Sequence, residues 1–229
     1  MLRDSAAAGT SNVTDMQSLH RWSVERPTDF WPAVWRFCGV VSEDRGTAAA
    51  WDAVGYGLDR MAPPDPERGP TWFPGARLNF AENLLRRTDD RAAVVSWNEL
   101  GRQRVLSFAE LDSEVGKVAA ALVAEGVGVG NRVAGFLPNI PETLIAMLAT
   151  ATIGAVWSSC SPDFGASGVL DRFGQIGPMV LFCADGYRYA GKQIDSLARV
   201  REVRARIPGI RRVVVIPYVG DAPALHGLP

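Results

Sequence analysis

Histidine is nearly absent from this sequence, and cysteine is rare. Among 229 residues there are two histidines and three cysteines. No two cysteines form a CxxC pair, which argues against a disulfide framework and a sulfur-rich metal site. His20 and His226 lie near the two ends of the chain. The sequence therefore offers no candidate histidine base for a serine or cysteine nucleophile, and no histidine metal site.

The sequence also lacks an excess of one charge and a long apolar run. It has 24 Lys and Arg against 25 Asp and Glu, a net charge of −1, which argues against an electrostatic nucleic-acid-binding protein. The longest apolar stretch, from Leu144 to Trp157, is shorter than the ~20 residues of a membrane-spanning helix. No apolar signal-peptide region follows the N-terminus. We therefore expect a cytoplasmic protein whose partners are neither nucleic acid nor membrane.

Three segments differ in composition. Residues 1–26 begin with small and polar residues and are predicted to be disordered. Residues 27–88 are predicted to form a mostly helical N-terminal segment that is interrupted by a proline-rich stretch over 61–70. In its last helix we expect Phe80, Leu84 and Leu85 to face inward. Residues 89–229 are predicted to form the first part of the main domain.

Strand and helix patterns alternate from Ala92 onwards. Ser107 and Glu110 form a capping box that opens one helix, and Asn139 with Glu142 is predicted to cap the next. The predicted strands cover residues 92–97, 104–106, 132–137, 155–159, 179–183 and 212–216. This order predicts an α/β fold with a mainly parallel sheet and helices on both faces. The loop-like composition after residue 216 predicts an incomplete domain.

A cluster of glycines, Gly126, Gly128 and Gly130, superficially matches a dinucleotide-binding loop. Such a loop joins a strand to the helix that follows it, so that helix amides point at a pyrophosphate. Here the glycines follow a helix and precede a strand. The pattern therefore favours a helix C-cap and a tight connection.

The carboxyl ends of the predicted strands are the places where an open parallel sheet binds ligands. Ser158, Ser159 and Ser161 lie at one such end, ahead of a predicted helix, where backbone amides attract anions. The same serines are also typical of caps and turns, and both interpretations stay open. Cys160 beside them is predicted to be a small buried apolar residue, because no base is available to activate it.

A second candidate lies in the segment 185–192, which the sequence predicts to be a loop. Arg188 and Lys192 bracket Gly191, and two cations around a glycine could hold a phosphate by charge and close backbone approach. A loop with solvated charges explains the same residues. From the residues alone, no catalytic centre is visible.

Several segments resemble those of a known family. Residues 72–85 (WFPGARLNFAENLL), 131–142 (NRVAGFLPNIPE) and 154–165 (GAVWSSCSPDFG) are similar to the opening part of acyl-CoA synthetases, which are adenylate-forming enzymes. Residues 161–165 (SPDFG) and 169–176 (VLDRFGQI) resemble the acetoacetate–CoA ligase branch. The resemblance implies activation of acetoacetate by ATP and transfer to CoA with the help of Mg²⁺, in lipid metabolism.

The resemblance also implies what the chain lacks. In the family, the phosphate loop and the adenylation lysine come later in the chain, so we expect an N-terminal portion that is inactive alone. An Arg-Gly-Gly-Arg segment of the related acetyl-CoA branch contacts a phosphate of CoA, and it aligns with Tyr189 to Lys192. This makes Arg188, Gly191 and Lys192 candidate CoA contacts, with no catalytic or metal-binding residue. Another short-chain acyl-CoA synthetase and a non-catalytic α/β binding module remain alternatives.

Overall fold

The chain folds into two compact units, Met1–Asn79 and Phe80–Pro229. The structure is a computed structural model that describes residues 13–46, 49–58 and 69–229. The division falls earlier than the predicted boundary at residue 88. The reason is the short helix that begins at Phe80, whose Ala81 is fully buried in the core of the second unit.

The first unit contains two helices and a small antiparallel ladder: α1 (Met16–Glu25), α2 (Pro27–Cys38), β1 (Gly55–Tyr56) and β2 (Thr71–Trp72). The prediction of disorder over 1–26 is wrong for α1, because Asp15 and Ser18 form a capping box that starts this helix. Residues 1–12, like most of the proline-rich stretch, lie outside the described residues. The predicted helical segment is therefore helical only in part.

Aromatic rings hold the first unit together. Trp35, Trp51 and Phe73 form a triangle with ring centroids 4.8 to 4.9 Å apart. Trp22, only 5% exposed, packs edge-on against Phe30 with centroids 5.1 Å apart. Aromatic pairs of this kind contribute beyond their buried area. Trp22, Trp35 and Trp51 therefore contribute to the packing of this unit, whereas Trp31 is 40% exposed.

The second unit begins with α3 and continues with alternating strands and helices. Its elements are α3 (Phe80–Leu84), β3 (Ala92–Asn98), β4 (Gly101–Ser107), α4 (Phe108–Ala124), β5 (Arg132–Phe136), α5 (Pro141–Thr152), β6 (Val156–Cys160), α6 (Ala166–Ile176), β7 (Val180–Ala184), β8 (Gly186–Tyr189), β9 (Lys192–Asp195), α7 (Leu197–Arg206) and β10 (Arg212–Ile216).

The central sheet of this unit has four parallel strands in the order β10-β7-β5-β6. Two antiparallel hairpins, β3–β4 and β8–β9, lie outside it. Side chains along β7 alternate between two cores: Val180 and Phe182 belong to one, Leu181 and Cys183 to the other. The first core includes residues of α4 and α5, and the second includes residues of α6 and α7. The predicted α/β fold with helices on both faces is confirmed.

Local signals at the helix ends are confirmed in part. The Ser107 side chain accepts from the Glu110 amide and the Glu110 side chain from the Ser107 amide, as the capping box predicts. The connection around Gly126 follows α4 and precedes β5, so the glycines serve a turn. Asn139 does not cap α5: Pro141 occupies the first turn and Ile140 is the cap residue, without a side-chain hydrogen bond.

The predicted inward orientation is wrong for Phe80 and Leu84, whereas Leu85, directly after α3, packs against the core. Phe80 is 60% exposed and Leu84 is 50% exposed, because this short helix directs Ala81 into the core instead. Within the described ranges, no helix combines the length and the apolar character that a membrane crossing requires.

Candidate functional site

A cavity of about 520 Å³ lies at the carboxyl edge of the parallel sheet. Its lining comes from residues 138–139 after β5, 161–163 after β6, 187–189 in β8 and Tyr218 after β10. Segments that are far apart in sequence meet here because parallel strands all end at the same edge. This is the edge at which the sequence predicts a ligand.

The strand order explains why a crevice forms at this edge. From β5 the chain crosses through α5 to β6 on one side, and then through α6 to β7 on the other side of β5. The connections after β5 and β6 therefore diverge, which leaves a gap beyond the ends of these strands. Ligands of open α/β sheets bind at such a reversal of strand order.

Of the three serines singled out in the sequence, only Ser161 lines the cavity. Ser158 and Ser159 lie within β6, paired with Ala134 and Gly135. The cap residue of α6 is Gly165, and it makes no side-chain hydrogen bond. The serines therefore do not cap this helix, and the prediction that they lie together at the strand end is wrong for two of them.

The segment 185–192 is mostly a hairpin and not the predicted loop. β8 and β9 pair antiparallel, with Tyr189 opposite Lys192, so that Ala190 and Gly191 form a two-residue turn. Both turn residues have positive φ, 51° and 74°. Two-residue hairpin turns of the favoured type need this conformation at both central positions. The hairpin gives Arg188 and Lys192 fixed places on paired strands.

The three predicted site residues differ in their surroundings. Arg188 is half-buried and lines the cavity, and Gln193, with its amide oriented to satisfy both groups, accepts from both Arg188 Nη atoms at 2.8 and 2.9 Å. Lys192 is exposed at the start of β9. Gly191 has open space where a side chain would stand. Arg188 therefore lies at the cavity, whereas Lys192 stands opposite Tyr189 and so lies on the other face of the hairpin, beside the open glycine.

The backbone of this turn is already engaged by a carboxylate. Glu99, in the β3–β4 turn, accepts from the Ala190 amide at 2.7 Å and from the Gly191 amide at 2.8 Å. A phosphate cannot take these two amides while Glu99 holds them, so a phosphate near this turn would depend on side chains, of which Arg188 lines the cavity. No local sequence pattern indicates a contact between residues so far apart in the chain.

A smaller cavity of about 210 Å³ adjoins the hairpin β3–β4. Arg104 and Glu142, which line it, form an ion pair with Nη1 and Oε1 3.0 Å apart. Arg188 and Tyr218 line both cavities. These two side chains therefore form the partition between the two spaces.

Asp185 organises the segment that carries Tyr218. The aspartate is only 6% exposed, and its carboxylate accepts from three consecutive backbone amides. Oδ1 accepts from Tyr218 at 2.8 Å and Val219 at 3.0 Å, and Oδ2 from Gly220 at 2.9 Å. The sequence pattern singles out Asp185 as the first residue of the segment 185–192 and gives no sign of this role.

Two buried cysteines lie within the central sheet, Cys160 in β6 and Cys183 in β7. Burial raises the pKa of Cys160 to about 11, although Arg172 opposes the shift, and burial raises the pKa of Cys183 to about 12. Both thiols are therefore protonated near neutral pH, whereas a thiolate is the reactive form. Cys160 is 8% exposed, and its predicted role as a small buried apolar residue is confirmed.

The described residues provide neither a histidine at the cavity nor a metal-binding cluster. His20 lies in α1 and His226 near the C-terminus, and both are exposed. No three His, Cys, Asp or Glu side chains of the described ranges are grouped so that they could hold a metal ion. We therefore assign no step to Mg²⁺ in the described residues.

The family model described as AMP-binding enzyme matches residues 80–225. This chain belongs to that family. The match begins at Phe80, where the second compact unit also begins, and it covers all but the last four residues of that unit. The resemblance inferred from the sequence is thereby confirmed at the level of the family.

Several relatives of this chain are named acetoacetyl-CoA synthetase. That of Rhizobium meliloti is 46% identical over 93% of this chain and 31% of its own length. That of Macaca fascicularis is 42% identical over 94% of this chain and 31% of its own length. The solved acetoacetyl-CoA synthetase of Streptomyces lividans is 43% identical, with a TM-score of 0.83 over 96% of this chain and 32% of that one. The chain thus spans about a third of the length of these relatives.

Proposed function

We propose that this chain is part of an ATP-dependent acetoacetate–CoA ligase, which converts acetoacetate, ATP and CoA into acetoacetyl-CoA, AMP and pyrophosphate. The observation that carries the proposal is the likeness to the acetoacetyl-CoA synthetase of Streptomyces lividans, 43% identical across 96% of this chain. The malonamoyl-CoA synthetase of Penicillium aethiopicum is less similar, at 35% identity. This difference favours acetoacetate over the other short acids. The cytoplasmic location stays a prediction.

Within that reaction we assign the strand-end cavity to CoA. CoA carries phosphates and an adenine ring. The guanidinium of Arg188 suits a phosphate because it has five N–H donors, of which Gln193 takes only two. Tyr187, Tyr189 and Tyr218 line the same cavity and offer aromatic surface for a base. Lys192 adds a second positive charge at the hairpin tip.

The open space at Gly191 supports the same assignment. No atom lies within 4 Å of the place where a side chain would begin, so a large ligand meets no obstruction at this point of the hairpin. Because Glu99 holds the turn amides, the glycine serves by its small size and not by its N–H. The ligand is therefore held by side chains of the hairpin and not by its backbone.

Calorimetric titration of the chain with CoA tests this assignment. Arg188→Ala should weaken binding about 10- to 100-fold, the usual value of hydrogen bonds to a charged group. Lys192→Ala should weaken it only about two- to fivefold, because an exposed charge is screened by solvent. Arg206→Ala is the matched control, since Arg206 is exposed, pairs with Glu202 and does not line the cavity.

The ligand series adds a second criterion. Dephospho-CoA, which lacks one phosphate, should bind more weakly than CoA to the unmodified chain and should lose less affinity upon Arg188→Ala. Equal affinity of the Arg188→Ala variant and the unmodified chain for CoA would contradict the assignment of this cavity.

Acetoacetate-dependent exchange between ATP and pyrophosphate tests the wider proposal. We expect no exchange from a chain of this sequence alone, because it spans only about a third of the relatives that bear the ligase name. Sustained exchange would show that the adenylating groups lie within it, against our expectation.

A further inference from the structure

Arg199, on α7, links two segments through hydrogen bonds to neutral acceptors. Its Nη1 donates to the carbonyl oxygens of Pro162 at 3.0 Å and Phe164 at 3.1 Å. Its Nη2 donates to the carbonyl oxygen of Asp195 at 3.1 Å, at the end of β9. One guanidinium therefore joins the connection after β6 to the end of the β8–β9 hairpin.

The same guanidinium also lies near two aromatic rings. Its Cζ is 5.9 Å from the centroid of Phe136, the buried last residue of β5, and 5.7 Å from the centroid of Tyr187. Both distances are within the range of a cation–π contact. Tyr187 and Pro162 both line the strand-end cavity. Arg199 thus contacts two walls of the cavity.

The connection between β6 and α6 has little other polar support. Gly165, the cap residue of α6, has no side chain, and Pro162 has no N–H to donate. Within the connection, the Phe164 amide donates to the Ser161 carbonyl at a long 3.2 Å, and Arg172 lies over the Phe164 ring at 4.4 Å. Arg172 lies against a side chain of this connection, whereas Arg199 binds its backbone on both sides of Asp163.

We propose that Arg199 is a positioning residue that sets the width of the strand-end cavity, by fixing residues 161–164 on one wall and Tyr187 on the other. The effect on CoA rests on the proposed function. The positioning of residues 161–164 and Tyr187 by Arg199 does not rest on the proposed function, because it concerns only contacts within this chain. A lysine at this position keeps the charge, but its single ammonium group lacks the planar fork that reaches several carbonyls at once.

Arg199→Lys is the test variant, and Arg201→Lys is its matched control. Arg201 lies on the same helix and also donates to carbonyls, from Nε to His226 at 2.9 Å and from Nη2 to Ala224 at 2.7 Å. Neither acceptor lines the cavity. A loss caused merely by altering an arginine of α7 would therefore appear in both variants.

Hydrogen exchange of the peptides over 160–165 is the first measurement. Arg199→Lys should speed exchange there about 10-fold, the effect of losing roughly one net hydrogen bond or more, while Arg201→Lys leaves it unchanged. Equal exchange of 160–165 in the two variants would overturn the proposal. So would a uniform rise over all peptides in Arg199→Lys, because that pattern indicates a general loss of stability.

Titration with CoA is the second measurement. Arg199→Lys should raise the dissociation constant of CoA about 5- to 10-fold, because the hydrogen bonds that it removes hold a wall of the cavity. Arg201→Lys should change that constant by less than about twofold, because its hydrogen bonds lie away from the cavity. A local rise in exchange in a chain that binds no CoA would support the positioning role and contradict the proposed function. Unchanged CoA affinity despite faster local exchange would refute the proposed control of cavity width.

Discussion

Asp185 offers the sharpest test of how the cavity is built. It is 6% exposed and accepts hydrogen bonds from the amides of Tyr218, Val219 and Gly220. Hydrogen bonds to a charged group contribute about 1.5 to 3 kcal/mol each. The three amides are only partly buried, so water can replace part of what is lost. We therefore expect Asp185→Ala to lower the free energy of unfolding by about 3 to 4 kcal/mol, less than the sum of three bonds.

The isosteric variant separates charge from shape. Asp185→Asn keeps an oxygen for Tyr218 and Val219 but turns an NH₂ group toward the Gly220 amide. We expect the free energy of unfolding to fall by a smaller amount, about 1 to 2 kcal/mol. Only the hydrogen bond from Gly220 is lost, and there the Asn NH₂ group and the Gly220 N–H, both donors, face each other.

Urea denaturation followed by far-UV circular dichroism measures both variants of Asp185. Asp112→Ala is the control, since Asp112 is exposed on α4 and should change stability by less than about 0.5 kcal/mol. A loss below about 1 kcal/mol for Asp185→Ala would refute the reasoning, because it would mean that the three amides do not depend on the carboxylate.

Three further outcomes follow from other contacts. Gly135→Ala should cost about 1 to 3 kcal/mol in urea denaturation, because its new methyl group would lie 2.6 Å from the ring of Trp157; an unchanged midpoint would contradict this. At pH 8 a thiol reagent should label the exposed Cys38 first. The thiolate is the reactive form, and burial raises the pKa of Cys160 to about 11 and that of Cys183 to about 12. Mass spectrometry that finds all three cysteines labelled equally in the folded chain would contradict this. Ser107→Ala should lower the thermal midpoint by removing about 1 kcal/mol of capping energy from α4, whereas Ser107→Thr should lower it less; equal midpoints for the two variants would contradict the capping role.

The layered fold could be predicted because its signals are local. Valine-rich strands separated by amphipathic helices indicate a parallel sheet that is covered on both faces. The capping box at Ser107 predicts the exact residue at which α4 begins. The cap of α5 was wrongly predicted because two local signals compete. Pro141 is best accommodated in the first turn of a helix, which makes Ile140 the cap residue and leaves Asn139 outside.

The site could be predicted only in outline. The strand-end edge follows from the topology. The segment 185–192, by contrast, has the composition of a loop, and its turn is Ala-Gly and not the Asn-Gly that indicates a hairpin. The partners of Glu99, Asp185 and Arg199 are backbone groups. Backbone groups are present at every residue, so the sequence carries no sign of which of them a distant side chain will meet.

The contact of Glu99 with the β8–β9 turn has a consequence for how the chain can vary. Connections between paired strands usually tolerate inserted or deleted residues, because they lie at the surface. Glu99 and Leu100 form the link between Asn98 and Gly101, and the carboxylate of Glu99 must reach Ala190 and Gly191 from there. Inserting a single residue into this link would move the Glu99 carboxylate out of hydrogen-bonding distance of the Ala190 and Gly191 amides. Although this link is exposed, its length is therefore as constrained as that of a buried segment.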